Sequence, residues 1–361
     1  MIRKFPKYLT GIFVCLAALS MMLSLPQESD AGKFKKEYKM TLNVGPQFYW
    51  GMGAIKFCEL VKEKTNGQIN VKPYYGSALL KGAQLKSPQM VAKGVIDMAY
   101  ESTINSASVI PEMNIFSLPF FINNFENLDK MEYGETGKTV FAAMEKKGLI
   151  GLAWGENGFR QVTNNKKPIL MPDDLKGLKI RVVGSPIFID IFKQLGADPV
   201  NMNWGDAVTG FQQGVVDGQE NPLPGVAITV QIFQYHKYIT RWNYLVDPVI
   251  IYWNQKQFKA FPADIQMAIR EAAVESARFE KALNRAGLDG DISLNILKNE
   301  FNHEMKIPDP IKYAESKGMV VTNLTDEQRK AFIDATKPLY KKWIPKIGED
   351  LYKKAVADMN K

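Results

Sequence analysis

The chain has 361 residues, 46% of them apolar, a net charge of +8 and an isoelectric point near 9.1. Its basic residues are scattered among acidic ones with no arginine-rich stripe, which argues against nucleic acid as a partner and suits a solvated surface that tolerates anionic ligands. The length is enough for two cores of ordinary size.

At the N-terminus, Arg3, Lys4 and Lys7 precede an apolar run from Tyr8 to Leu25, followed by Ser29, Asp30 and Ala31. A basic start, an apolar middle and small residues three and one before a cut describe a secretory signal peptide over residues 1–31, with the periplasm as the expected location. An uncleaved anchor is the alternative, but the run is short for a span and is interrupted by Thr10, Gly11 and Ser20. Cys15 follows Val14 rather than a small residue, which disfavours a lipid-anchored start. No second run of about 18 apolar residues follows. Cleavage leaves Cys58 as the single cysteine, so no disulfide framework forms. Its spacing from Ala54 and Val61 reads as a buried core thiol.

In chain order, Thr41–Val44 reads as a strand and Met52–Thr65 as a helix closed by Asn66-Gly67. Ile69, Val71 and Pro73 continue as an alternating strand, and Ser87-Pro88 opens a helix. Val95–Tyr100 is an apolar strand, Leu128–Lys147 contains a helix, and Leu149–Trp154 is a buried strand. Leu178–Val183 is a strand again, followed by helices at Pro186–Leu195 and Asp206–Gln213 and a short strand at Val215-Val216. From Pro262 to about Met305 the pattern turns to long helices interrupted near Gly287 and Gly290, and Thr325 to Gln328 has capping-box spacing. The alternation predicts α/β architecture with mixed, mostly parallel sheets. Without repeats or low-complexity linkers, two lobes joined by several chain crossings fit better than a flexible tandem.

Much catalytic chemistry is missing. His236 and His303 are far apart, and neither has a partner at metal-ligand spacing; both read as surface or structural. No G-x-S-x-G elbow, Walker loop or zinc motif occurs. Gly51-Met52-Gly53 begins like a dinucleotide fingerprint, but Lys56 stands where the third glycine belongs, so packing at a helix start is preferred. Capping explains Asp173-Asp174 and Asp217/Glu220 more simply than acid–base catalysis. No catalytic residue, metal or cofactor is expected.

Binding chemistry is concentrated between Trp154 and Pro222. Arg160 lies in Gly158-Phe159-Arg160, just after a strand end, and Arg181 lies inside the strand Leu178–Val182. Strand alternation puts Arg181 on the face of Lys179, opposite Ile180 and Val182. An arginine there is costly unless paired. A ligand carboxylate gripped by two parallel hydrogen bonds would pair it, and so would an internal acid; spacing weighs the two equally.

Several segments resemble the solute-binding proteins of TRAP (tripartite ATP-independent periplasmic) transporters. They are Asn157–Asn164 (NGFRQVTN), Asp174–Val182 (DLKGLKIRV), Leu195–Pro199 (LGADP) and, most specific, Gln213–Pro222 (QGVVDGQENP). Gly94–Met98 and Leu118–Phe121 are weaker echoes. The resemblance implies a two-lobed clamshell with a long hinge-spanning helix within Ala263–Gly287. Lobe I would comprise 32–157 plus 248–286 and lobe II 158–247 plus 287–361, with the ligand cleft between them. It implies that Arg181 makes the principal salt bridge to a ligand carboxylate, Arg160 is a second cation and Asn221 a hydrogen-bond donor. Trp204 would pack on the ligand, while Glu101 and Asn43 would face it from the other lobe. The partners implied are a small organic acid and the membrane subunits of a TRAP permease, with the protein itself expected to be a monomer.

Gln47, Phe48, Tyr49 and Trp50 follow the first strand, and with Trp204, Phe159 and Tyr244 they suggest an aromatic-lined pocket. That points to a monocarboxylate with an apolar or aromatic body, such as an aryl or indolic acid; the alternative makes Phe48 and Trp50 core residues. Rival functions are a binding protein for a dicarboxylate or sugar acid, a receptor for an ABC-type importer, and a secreted clamshell enzyme.

Overall fold

The computed structural model describes residues 34–361; the expected signal peptide lies outside the described residues. Ten strands organise it: β1 (Tyr38–Thr41), β2 (Val71–Tyr74), β3 (Met98–Ser102), β4 (Leu149–Asn164), β5 (Lys179–Val182), β6 (Asp198–Asn201), β7 (Gly218–Pro222), β8 (Tyr238–Arg241), β9 (Val246–Asn254) and β10 (Val320–Asn323). Their order is β2-β1-β3-β9-β4-β7-β5-β6, with β8 joined to β4 and β10. The wings are parallel, β1 with β2 and β3, and β5 with β6 and β7. The centre is antiparallel, β9 lying between β3 and β4 and β4 beside β7. The expected mixed α/β fold is therefore present, with an antiparallel middle that the sequence pattern did not announce.

β4 explains how one sheet becomes two halves. Its 16 residues pair with β9 as far as Phe159 and with β7 from Arg160 onward. The pairing slips between Glu156 and Gly158, and Gly158 has φ +107°, a backbone state open to glycine. Such a bulge bends a strand and increases its twist. The strand thus redirects the chain from one half to the other immediately before Arg160.

The helix Ala263–Arg285, within the expected span, packs along β4 and against the helix Tyr49–Lys64. Buried polar bonds fix it there. Glu280 Oε2 accepts from the Glu156 amide at 2.7 Å, and Asn284 Nδ2 donates to the Glu156 carbonyl at 2.6 Å. Gly53 of the neighbouring helix permits this approach, because a Cβ there would stand 2.7 Å from Glu280 Cβ and from Tyr100 Oη. The glycine pair thus packs a helix start, as expected.

Other expectations shift in detail. The Thr325–Gln328 capping box forms in both directions. Leu128–Lys147 resolves into two helices, Phe125–Tyr133 and Glu135–Lys146, broken at Gly134. The short strand expected at Val215-Val216 begins instead at Gly218, and Val215 is exposed. Cys58 is half-buried rather than a full core residue, and burial pushes its thiol up to about 12.

The C-terminal helices Pro338–Ile347 and Glu349–Met359, expected with lobe II, pack against Phe125–Tyr133, Glu135–Lys146 and the turn Pro111–Ser117. Trp343, Ile347, Leu351 and Ala355 bury their apolar stripe in the large core. Asp358 accepts from both the amide and the hydroxyl of Thr136 at 2.8 Å. This stretch therefore straps the first half instead of completing only the second. Residues Glu37–Lys361 make one compact unit.

Candidate functional site

The ends of β3, β5 and β7, the bend of β4, the start of β9 and the turn after β1 converge on one small cavity of ≈ 40 Å³. Arg160 and Arg181 both line it, and both are almost fully buried. Their surroundings differ in a way that decides their roles.

Arg160, on β4, faces Glu220 of the adjacent strand β7. Its Nε donates to Glu220 Oε2 at 2.5 Å and its Nη2 to Glu220 Oε1 at 2.8 Å, while Nη1 donates to Asp247 Oδ2 at 3.0 Å. Nη2 also reaches the Glu220 carbonyl and Asn221 Oδ1, both at 2.8 Å. Burial alone would lower the pKa of this guanidinium, but the two carboxylates outweigh it and raise it. Glu220, read from sequence as a capping residue, is instead the bidentate partner of Arg160. The expected second cation for a ligand is thus already paired within the protein.

Arg181, at the buried end of β5, has no carboxylate partner among the described residues. Its Nε and Nη2 donate to the Met202 carbonyl at 3.2 and 2.7 Å, and its guanidinium lies 5.5 Å from the Trp204 ring centroid. Burial lowers its pKa to about 10, so it remains a cation at neutral pH. Its guanidinium lines the cavity without a direct carboxylate contact, a geometry that a carboxylate in the cavity would complete.

The remaining expected residues divide. Asn221, Trp204, Asn43 and Phe48 line the cavity with the two arginines. Asn221 is partly committed, accepting from Arg160 and donating to Gln219 Oε1 at 2.6 Å, but its amide keeps a second hydrogen. Phe48 meets Trp204 edge to face, ring centroids 5.9 Å apart. Gln47, Glu101 and Tyr244 do not line the cavity. Gln47 is exposed at the turn after β1. Glu101 alternates to the far side of β3, where Tyr252 Oη and Ser106 Oγ donate to it at 2.5 and 2.9 Å and burial raises its pKa to about 7. Tyr244 is buried behind the arginine pair and donates to Glu220 at 2.6 Å. Phe159 packs on Phe125, away from the cavity, and Tyr49 packs on the helix side.

The cavity is lined further by Trp50, Gln84, Ser102, Asn105, Asn157 and Asp247, together with apolar residues such as Val183 and Val226. Ser102 and Asn157 donate to Asp247 at 2.5 and 2.8 Å, holding in place the carboxylate that Arg160 Nη1 also meets. Three buried polar atoms of lining residues are also unpartnered: Asn43 Oδ1, Trp50 Nε1 and Asn105 Nδ2. A buried polar atom without a partner is unusual enough to suggest a missing ligand group. Trp50 was marked by its sequence through the aromatic cluster and Asn157 as the first residue of Asn157–Asn164, whereas Gln84 and Asn105 sit in segments with no motif.

His236 is structural. Its Nδ1 meets Thr163 Oγ1 at 2.9 Å, and burial lowers its pKa to about 4. Among the described residues there is no His/Cys/Asp/Glu group suited to a metal, and no helix is long and apolar enough to cross a membrane.

Two α/β halves sharing a bent strand, with a cavity lined by two buried arginines beside it, have the architecture of a clamshell solute-binding protein. Residues 41–346 match the family described as bacterial extracellular solute-binding protein, family 7 (DctP), and the chain belongs to that family. It is 32% identical to the 2,3-diketo-L-gulonate-binding periplasmic protein YiaO of Escherichia coli, over 84% of this chain and 86% of that one. It is 30% identical to the C4-dicarboxylate-binding periplasmic protein DctP of Rhodobacter capsulatus, covering 94% and 95%. Among solved structures, a TRAP periplasmic solute-binding protein from Ralstonia eutropha with bound (S)-2-acetolactate aligns at a TM-score of 0.84 and 41% identity, over 91% and 99% of the chains. The protein is thus a TRAP-type solute-binding protein for small organic acids, a transport component and not an enzyme.

Proposed function

We propose that this protein is a periplasmic receptor for a short monocarboxylate, held by Arg181 and delivered to a TRAP permease. The observation that carries the reading is the contrast between the two arginines: Arg160 is neutralised by Glu220 and Asp247, while Arg181 has only the Met202 carbonyl. Arg160, Arg181, Glu220 and Asp247 together balance in charge, and Arg181 is the cation of the four without a direct carboxylate contact, so it is the one open to a new ion pair with a ligand carboxylate. Asn221, beside Arg181 on the cavity wall, has a spare amide hydrogen for the same group.

The rest of the ligand is short. The free space inside the cavity is small, ≈ 40 Å³. The edge-to-face contact of Phe48 with Trp204 occupies the space a stacked ring would need. That favours a compact aliphatic acid over the aryl or indolic acid suggested by the aromatic cluster. The unpartnered Asn43 acceptor and Trp50 donor suit a hydroxyl and a carbonyl on such an acid. A 2-hydroxy or 2-oxo acid carries those groups, and the ligand of the Ralstonia relative, (S)-2-acetolactate, is of this kind. The N-terminal signal pattern at residues 1–31 supports export, with action as a monomer.

Calorimetric titration with (S)-2-acetolactate tests the reading. Arg181→Ala removes a buried charge-assisted pair and should weaken binding by about 2–5 kcal/mol, roughly thirtyfold or more. Arg181→Lys should also weaken it, because an ammonium lacks the fork geometry. Unchanged affinity in both variants would move the carboxylate elsewhere.

A further inference from the structure

Gln84 and Trp204 lie 120 residues apart in sequence and meet at the cavity wall. Trp204 begins the helix Trp204–Gln212, whose N-cap residue Asn203 makes no side-chain cap. Instead the Trp204 amide donates to Gln84 Oε1 at 2.7 Å. Gln84 Nε2 in turn donates to Asn105 Oδ1 at 2.9 Å, and Asn105 Nδ2 is left without a partner. Gln84 and Asn105 are 4% and 1% exposed, so water does not compete for these bonds.

A side-chain amide can ordinarily be turned end for end, and its orientation is then a matter of choice. Here it is not. A peptide N–H can only donate, so the Trp204 amide requires the oxygen of Gln84. That leaves Gln84 a donor toward Asn105, which must answer with its own oxygen. The polarity of one backbone amide is relayed through two side chains, and Asn105 ends with a buried N–H and no acceptor.

We infer that Asn105 is a specificity residue which reads a hydrogen-bond acceptor on the ligand, and that Gln84 positions it through the Trp204 amide. The inference rests on the reading that the cavity holds a short acid at Arg181. Carbonyl and hydroxyl oxygens satisfy Asn105, whereas a methylene leaves a buried donor unpaired. The relay also ties recognition to closure. Gln84 and Trp204 stand on opposite sides of the bent strand β4 in sequence, so separating the halves frees both amides to turn.

The test compares 2-oxoisovalerate with isovalerate, which lacks the oxo acceptor, by calorimetric titration of the full mature protein. The wild-type protein should prefer the oxo acid by about tenfold, the value of one well-made buried hydrogen bond. Asn105→Leu and Gln84→Leu should each reduce that preference to about twofold or less. Arg181→Ala should weaken both acids alike and leave their ratio intact. Thermal melts of each variant separate loss of selectivity from loss of fold. A tenfold preference that survives in Asn105→Leu overturns the specificity role, and one that survives only in Gln84→Leu overturns the relay. Unchanged binding of both acids by Arg181→Ala would instead overturn the carboxylate site on which the inference rests.

Discussion

Arg160 meets Glu220 fork to fork, with Nε to Oε2 at 2.5 Å and Nη2 to Oε1 at 2.8 Å, and both side chains are buried. This pair separates structural from ligand-binding charge in the site. Arg160→Ala leaves Glu220 and Asp247 as buried carboxylates without the cation that contacts them, which should cost about 3–5 kcal/mol of stability. Arg181→Ala removes a buried cation that makes no direct carboxylate contact and should cost the ligand-free protein clearly less. Denaturant melts of the two variants without ligand check this. Equal destabilisation would mean that Arg181 is also structural.

Glu101 gives the site's neighbourhood a pH dependence. Burial raises its pKa from 4.5 to about 7. The folded state therefore holds this proton more tightly than the unfolded chain does. The resulting stability is fully present below about pH 4.5 and is lost as pH rises through 7. A shift of this size corresponds to about 3 kcal/mol. Glu101→Gln keeps an acceptor for Tyr252 and Ser106 without the charge. The difference in melting temperature between variant and wild type should grow, in favour of the variant, from pH 5 to pH 8. His236, with its pKa lowered to about 4 from 6.5, changes stability between those values in variant and wild type alike, so it cancels from the difference. A constant difference across the range would show that Glu101 does not titrate there.

The sequence carried the fold and half of the site, and the reason lies in how each residue announces itself. An arginine inside an apolar strand is anomalous, so Arg181 stood out by position, and Arg160 by following a strand end within Asn157–Asn164. Which of them was free could not be read, because the deciding acids come from β7 and β9, 60 and 87 residues away from Arg160. β9 itself passed unread. All nine of its residues are buried, so it shows no alternation to mark it as a strand. Gln84 and Asn105 gave no signal either, since a polar side chain in a loop is ordinary until its partner atoms are known. Glu101 erred by one residue of alternation: its neighbour Ser102, pointing the other way, lines the cavity.

Gly53 tests how closely the hinge helix must approach. Its missing Cβ would stand 2.7 Å from Glu280 Cβ, an atom fixed to the helix backbone. Gly53→Ala must therefore push the helix Ala263–Arg285 away from the helix Tyr49–Lys64. Overpacking of this kind should cost about 1–3 kcal/mol. Ile55→Ala, on the exposed side of the same helix, is the control and should change the melting temperature little. An unchanged melt in Gly53→Ala would show that the two helices are free to separate.

Trp204 should report closure directly. It touches Phe48 edge to face across the cavity and has the Arg181 guanidinium 5.5 Å from its ring centroid. Both neighbours change when ligand neutralises Arg181 and when the halves part. Trp154, Trp242 and Trp253 are buried in the cores and keep their surroundings. Binding of (S)-2-acetolactate should therefore change the intrinsic tryptophan fluorescence, and most of that change should vanish in Trp204→Phe. The same variant keeps an aromatic face for Phe48 but shortens the reach over Arg181, so affinity should fall by about 0.5–1.5 kcal/mol. A fluorescence response that persists undiminished in Trp204→Phe would place the moving indole elsewhere, with Trp50 on the opposite wall as the next residue to substitute.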